Sequence, residues 1–227
     1  MINKKAGAPS HTRFVLVVLV FACSKALTTP NNQNLLDSPF CRFSADFSQQ
    51  LAFPDGVNFI RASGQIYFDC THGLVWSVEK PISSAQIYLL DGDMYGVDFA
   101  AKVSPLERAM QRRVGGVLSA LLSGNQKQLN ADFEFVNHLA SGIKLIPKQA
   151  ALKRALRGIS IEGGVDLLDR LIKIEQADDQ VITIQTTNVT VVDEEQEVAS
   201  SCIAVLGQSS EAACRLLLQR SLIGEDL

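Results

Sequence analysis

Between Val57 and Phe68 the chain alternates: Ile60, Ala62, Ile66 and Phe68 fall on one face of an extended strand, and Arg61, Ser63, Gln65 and Tyr67 on the other. A period of two marks a strand buried on one side. Similar runs at 74–78, 86–90, 132–137, 143–146, 159–162, 168–176 and 181–192 are mostly separated by Gly, Asp, Asn or Pro, and each reads as a strand. The last two flank Ala177-Asp178-Asp179-Gln180, a hairpin-length link. Links this short join antiparallel neighbours, since a parallel pair needs a crossover of roughly a dozen residues. The pattern predicts a curved antiparallel sheet in a chain that is mainly β with a few helices (α+β).

One segment of helical period interrupts the strands. Ser104 suits an N-cap, Pro105 the first helical position, Glu107 completes a capping box and Gly124 can end the helix. Leu106, Met110, Val114, Val117 and Leu121 form one apolar stripe, widened by Leu118 and Leu122, with Glu107, Arg108, Gln111, Arg112 and Arg113 largely off it. The expected role is to cover the sheet's core. Gly115 and Gly116 each cost roughly 1 kcal/mol relative to alanine inside a helix, which points to close packing or to a lid that bends. From Asp193 the chain turns acidic and then small, and Ala213, Leu216, Leu217 and Leu218 suggest a short terminal helix in a tail over 194–227.

The beginning of the chain changes the picture. Lys4, Lys5 and Arg13 precede an unbroken apolar run, Phe14 to Ala22, the make-up of a secretory signal. The run is shorter than the roughly 20 residues that span a bilayer. Small residues at Ser24 and Ala26 favour cleavage after Ala26, giving a signal peptide over 1–26, a domain over 27–193 and a periplasmic address. Lipidation at Cys23 is the alternative, disfavoured by the bulky Phe21. Removing Lys4, Lys5, Arg13 and Lys25 from 21 basic residues leaves 17 against 24 acidic, net −7. That sign argues against nucleic acid or an anionic membrane as the main partner, since both reward clustered cations. Cys41, Cys70, Cys202 and Cys214 remain, an even number in an oxidising compartment. Three pairings are open, Cys202 with Cys214 being the most local, and free buried thiols are an equal alternative.

Catalytic chemistry has few places to sit. His72 and His138 are the histidines of the mature chain. Asp69-Cys70-Thr71-His72 gathers reactive side chains between two strands and is the best catalytic or metal candidate, against a plainer reading as a polar β-connection ending at Gly73. No local spacing supplies the further ligands of a metal site. Gly115-Gly116 and Gly163-Gly164 lack the Lys-Ser/Thr of a phosphate loop. The Asn188-Val189-Thr190 sequon is too common a match to weigh. The expectation is a binding protein without catalytic residues, metal or cofactor, whose many strands and few helices leave an apolar cavity under partial helical cover.

Phe43-Ser44-Ala45-Asp46-Phe47-Ser48-Gln49-Gln50 resembles the opening of the outer-membrane lipoprotein carrier family, LolA. The likeness continues in order through Gly64-Gln65-Ile66-Tyr67-Phe68, Leu74-Val75-Trp76, Lys80-Pro81, Leu90-Asp91-Gly92-Asp93-Met94-Tyr95 and Leu145-Ile146-Pro147-Lys148, with 168–189 shaped like the final hairpin. Order and spacing, rather than any single motif, carry it over roughly residues 40–190.

The resemblance implies an incomplete antiparallel β-barrel with a helical lid over a hydrophobic cavity. It further implies a cofactor-free monomeric carrier that takes acylated cargo from an inner-membrane releasing complex to an outer-membrane acceptor. By the match Phe47, Tyr67, Trp76 and Tyr95 take positions of large apolar sheet side chains, which serve equally as ordinary core. With Ile66 and Phe68, and the helix stripe Met110, Val114, Val117 and Leu121, they form the expected cavity lining. One departure stands out. Lipoprotein carriers of this family place an Arg-Pro pair where this chain has Cys70-Thr71, and neither Arg61 nor Lys80 lies at the matching position. Divergent relatives linked to export of other lipids make a glycolipid or acylated polyene the alternative cargo. A secreted hydrolase using Cys70 or His72, or an assembly protein with a filled interior, are the more distant readings.

Overall fold

The computed structural model of the 227-residue chain describes residues 40–106, 116–121, 126–138, 142–163, 169–193 and 195–221. All of them lie in one compact unit, Asn32–Leu227. Eleven strands follow in chain order: β1 (Arg42–Ala52), β2 (Phe59–Asp69), β3 (Gly73–Lys80), β4 (Ser84–Leu89), β5 (Met94–Val97), β6 (Val103–Pro105), β7 (Phe133–His138), β8 (Gly142–Pro147), β9 (Leu156–Gly163), β10 (Arg170–Gln176) and β11 (Val181–Val191). Helical residues are 116–121 (α1), Gln126–Asp132 (α2), Ala150–Lys153 (α3), Val198–Leu206 (α4) and Glu211–Ser221 (α5).

The strands form a single sheet in the order β6-β5-β4-β3-β2-β1-β11-β10-β9-β8-β7. Every neighbouring pair is antiparallel. Each wing is a meander of hairpins, and pairing of β1 with β11 joins the wings. Strands β6 and β7 end the order unpaired with each other, so the sheet does not close. The expected open antiparallel barrel with a few helices is what is found.

Both wings contribute to one core, including Phe68 and Trp76 from one and Ile143, Ile161, Ile172 and Ile184 from the other, with Val117, Leu118 and Leu121 of α1 laid against it. This is the inner face. The outer face carries a second core: Tyr67, Val75, Ile87 and Tyr95 pack against Val198, Cys202, Leu206, Ala213, Cys214 and Leu217 of α4 and α5. The tail is therefore a helical hairpin that completes the sheet. A Cys202–Cys214 disulfide staples its helices, and a Cys41–Cys70 disulfide ties the residue before β1 to the turn after β2. The Tyr67 hydroxyl meets Ser201 Oγ at 2.7 Å, and Ser77 Oγ meets Ser210 Oγ at 2.8 Å, so the buried polar groups between sheet and hairpin are paired.

The helix start expected at Ser104 is overturned. Ser104 pairs with Gly96 and Pro105 with Tyr95 in β6, and the Leu106 N–H donates to the Met94 carbonyl at 2.9 Å. An edge strand tolerates proline because one row of its N–H groups has no ladder to join. Residues 107–115 and 122–125 lie outside the described residues. The register of β2 on β3 slips between Ser63 and Gly64. A Cβ at Gly64 would lie 2.0 Å from the Ser77 carbonyl oxygen, so this bulge excludes every other residue.

Leu217→Ala removes a fully buried side chain from the hairpin–sheet core. It is expected to lower the unfolding free energy by about 2–5 kcal/mol in a urea titration. A loss below about 0.5 kcal/mol, the range of surface substitutions, would mean that α5 is not packed as described.

Candidate functional site

On β2 the inward positions run Phe68, Ile66, Gly64, Ala62 and Ile60, opposite Phe43, Ala45, Phe47, Gln49 and Leu51 of β1. Glycine opposite Phe47 leaves room for the ring, which stacks against Trp76 with centroids 4.3 Å apart. Phe43 and Phe68 meet at 5.2 Å. Cover is not uniform along this face: Ile66 is 0% exposed and Ile60 53% exposed. The apolar surface thus starts sealed and emerges at the β1–β2 turn. The turns after β3 and β5 reach the same end, because Ser63 pairs with Lys80 and Ala85 with Val97. They present Ile82 and Phe99, 67% and 79% exposed, beside Val57 at 76%.

The cover itself is anchored. Arg170, buried on the inner side of β10, donates from Nη1 to the Leu121 carbonyl of α1 at 2.7 Å. A guanidinium donating to a backbone carbonyl is a charge-assisted hydrogen bond, stronger than a neutral one. The link connects one side chain of the far wing to the segment that closes the core.

Of the expected cavity residues, Phe47, Ile66, Phe68, Trp76, Val117 and Leu121 share the inner core. Tyr67 and Tyr95 do not: they lie on the outer face under α4 and α5. Strand geometry requires this, since Tyr67 stands between Ile66 and Phe68 and successive side chains point to opposite faces. Met110 and Val114 lie outside the described residues. Arg61 and Lys80, considered as substitutes for the family's arginine, also belong to the outer side, following Ser63 and Tyr67 in the β2 alternation and the pairing of Lys80 with Ser63. The arginine that reaches the cover, Arg170, had no sequence signal beyond its place in a predicted strand.

Asp69-Cys70-Thr71-His72 is a structural node. Cys70 is disulfide-bonded, so its sulfur is no free thiolate. Asp69, 1% exposed, accepts from Arg42 Nε at 2.8 Å, Thr71 N–H at 2.9 Å, Thr71 Oγ1 at 2.6 Å and His72 N–H at 3.0 Å, with His72 Nδ1 at 2.7 Å. Thr71 Oγ1 also meets His72 Nδ1 at 2.7 Å. Hydroxyl and carboxylate thus share one ring nitrogen, whereas a nucleophile–base–acid relay needs them on opposite nitrogens. Burial pushes the Asp69 carboxyl up, but hydrogen bonds from Thr71, His72 and Arg42 outweigh it and hold the pKa down to about 2. Arg42 continues inward, donating from Nη1 to the carbonyls of Asp193 and Gln196 at 2.9 and 2.7 Å. The node pins β1, β2 and the start of the helical hairpin together. Among the described residues no cluster of His, Cys, Asp or Glu is arranged to hold a metal ion.

No family model and no curated protein matches the sequence. Among solved structures, the chain is similar to a LolA superfamily protein from Nitrosomonas europaea, at 10% identity and a TM-score of 0.42 over 71% of this chain and 91% of that one. It is similar to a DUF1329 family protein from Desulfovibrio piger, at 11% identity and a TM-score of 0.42 over 77% and 97%. A domain named as an outer membrane lipoprotein-sorting protein from Vibrio parahaemolyticus gives 6% identity and a TM-score of 0.44 over 76% and 94%. At these values the likeness assigns no role to any residue.

The Asp69 carboxyl sits below its ordinary value of 3.8 in the fold, at about 2. Its contribution is therefore complete above the ordinary value and lost as pH falls toward the folded one. The unfolding free energy is expected to drop by roughly 2 kcal/mol across that window through this group alone. A carboxyl-carbon NMR titration of Asp69 should give a midpoint near the lower value, and a midpoint at or above the ordinary one would contradict the node.

Proposed function

We propose that this chain is an exported, LolA-like carrier of acylated molecules that shelters acyl chains against the inner apolar face of its sheet. The observation that carries the reading is the gradient on that face, sealed around Ile66 and emerging at Ile60, with Arg170 donating to the helix that covers the core. Each methylene moved from water into such a surface contributes roughly 0.8 kcal/mol. Displacing α1 exposes Val117 and Leu121, and an incoming chain offsets that loss by taking their place. The ordered run of family-like motifs from Phe43 to Lys148 supports the assignment. So do the two disulfides, which suit an oxidising compartment such as the periplasm.

In this reading the cargo is a lipoprotein, received from an inner-membrane releasing complex and passed to an outer-membrane acceptor by a monomer that makes and breaks no bonds. Binding and release follow from opening the cover, with Arg170 setting how readily it opens. A second cargo, a glycolipid or acylated polyene, is favoured by one observation. The position of the family's cargo-retaining arginine is Cys70, and its sulfur is committed to Cys41.

A fluorescent long-chain fatty acid tests the reading directly. The protein is expected to bind it saturably, and Ile60→Lys to weaken binding by about tenfold or more, from a charge set in the path of the chain, without lowering the melting temperature. Arg170→Gln is expected to speed release of the bound probe. No saturable binding, or equal binding by Ile60→Lys, would contradict an acyl site at this face.

A further inference from the structure

The helical hairpin rests on the outer positions of β2 to β5. Further along the same face, the outer positions of β1, β10 and β11 border a cavity of about 560 Å³ with the ends of β2 and β3. Its size falls within the roughly 300–1,000 Å³ typical of ligand pockets. Most of the lining side chains stand on the side of the sheet opposite the apolar core, with Gln49 and Ala62 of the inward row also at the border.

The lining is unlike the inner face. Arg61 and Lys80 supply two cations, and no carboxylate borders the cavity among the described residues. Of the acids on this face, Asp46 accepts from Gln65 Nε2 at 3.2 Å and Asn188 Nδ2 at 2.8 Å, Glu175 pairs with Lys144 and Lys173, and Glu162 stands exposed opposite Leu171 without bordering the cavity. Arg61 is braced on both sides. Its guanidinium lies 4.5 Å over the Phe59 ring, and Nε donates to Gln50 Oε1 at 3.4 Å, which leaves its terminal nitrogens as donors for an anion. Between the cations and β10 stand Ser48, Ser63, Thr183 and Gln185, side chains that both donate and accept. Leu171 and Pro81 add short apolar surfaces.

We propose that this outer-face cavity binds an anionic, hydroxyl-rich group, a phosphorylated or uronic-acid saccharide. The phosphate or carboxylate meets Arg61 and Lys80 through charge-assisted hydrogen bonds. The sugar hydroxyls pair with the Ser, Thr and Gln side chains, and Leu171 and Pro81 meet the C–H faces of the ring. A neutral saccharide forgoes the two cations, and a bare anion forgoes the row of hydroxyl partners, so discrimination against both follows from the lining.

Calorimetric titration of the full chain with glucose phosphate and with galacturonic-acid oligomers, against neutral glucose and inorganic phosphate, tests the assignment. Both acidic saccharides are expected to bind more tightly than either control, with affinity falling as salt rises. The double variant Arg61→Gln, Lys80→Gln is expected to lose about tenfold or more while melting temperature and fatty-acid binding stay unchanged. Sedimentation with phosphatidylglycerol vesicles against phosphatidylcholine vesicles identifies the source. Retention lost in the double variant assigns the anion to a lipid headgroup, and absence of retention with saccharide binding intact assigns it to a soluble glycan. Equal binding by wild type and double variant, equal binding of glucose or inorganic phosphate, or no binding of saccharide or vesicle would overturn the proposal.

Discussion

Strands β2 to β4 are apolar on both sides. Ile66-Tyr67-Phe68, Leu74-Val75-Trp76 and Ile87-Tyr88-Leu89 place a large side chain at every position, and all nine are buried. Side chains of a strand point alternately to the two faces, so no bend or twist of a sheet can hide such triplets on one face. Two covers are needed. The other wing and α1 provide the inner one and the α4–α5 hairpin the outer one. The outer cover is cross-linked by a disulfide and joined to the sheet by a buried hydroxyl pair at Tyr67.

The buried Arg42–Asp69 pair secures this division of labour. Removing one partner of such a pair leaves a charge uncompensated in the interior, at a cost of about 3–5 kcal/mol. Here the guanidinium also satisfies two carbonyls at the start of the hairpin, so the pair locks the outer cover to β1 and β2. The same locality that reads as a catalytic cluster in the sequence is therefore spent on architecture.

Much of the sheet was legible because its period is simple. Strands β2, β3, β4 and β7 to β11 fall within a few residues of the alternating runs, whereas β1, β5 and β6 are not among them, and the stretch that forms β1 enters only through the family resemblance. Local signals failed where a tertiary contact outweighed them. Ser104-Pro105 carries a helix-start signature, yet pairing with Tyr95 and Gly96 at the sheet edge draws it into β6. Helix α4 is built from Val198-Ala199-Ser200-Ser201-Cys202, small residues with little contrast between faces, and its helicity follows from packing on Tyr67. For the site, the inner positions Phe47, Ile66, Phe68 and Trp76 were readable from the pattern and the family resemblance. Tyr67 and Tyr95 enter the expected lining through the family resemblance alone, whereas the alternation along β2 already sets Tyr67 on the face opposite Ile66 and Phe68. The contact of Arg170 with Leu121, 49 residues away, has no local trace at all.

The two faces together describe a molecule with separate chemistries on one sheet. The inner side is a buried apolar surface with α1 laid against it and Ile60 exposed at its end. The outer side is half sealed by helices and half a polar cavity with two cations. The proposed acyl carriage implies that the protein leaves its host with cargo in place, because a long chain buried on an apolar surface dissociates slowly. Native mass spectrometry of the full chain purified from a secreting host, with the bound material released and identified, measures this most directly. The account predicts a population carrying one acylated molecule. Protein that is empty on isolation and stays empty after exposure to lipids and acylated peptides would contradict it.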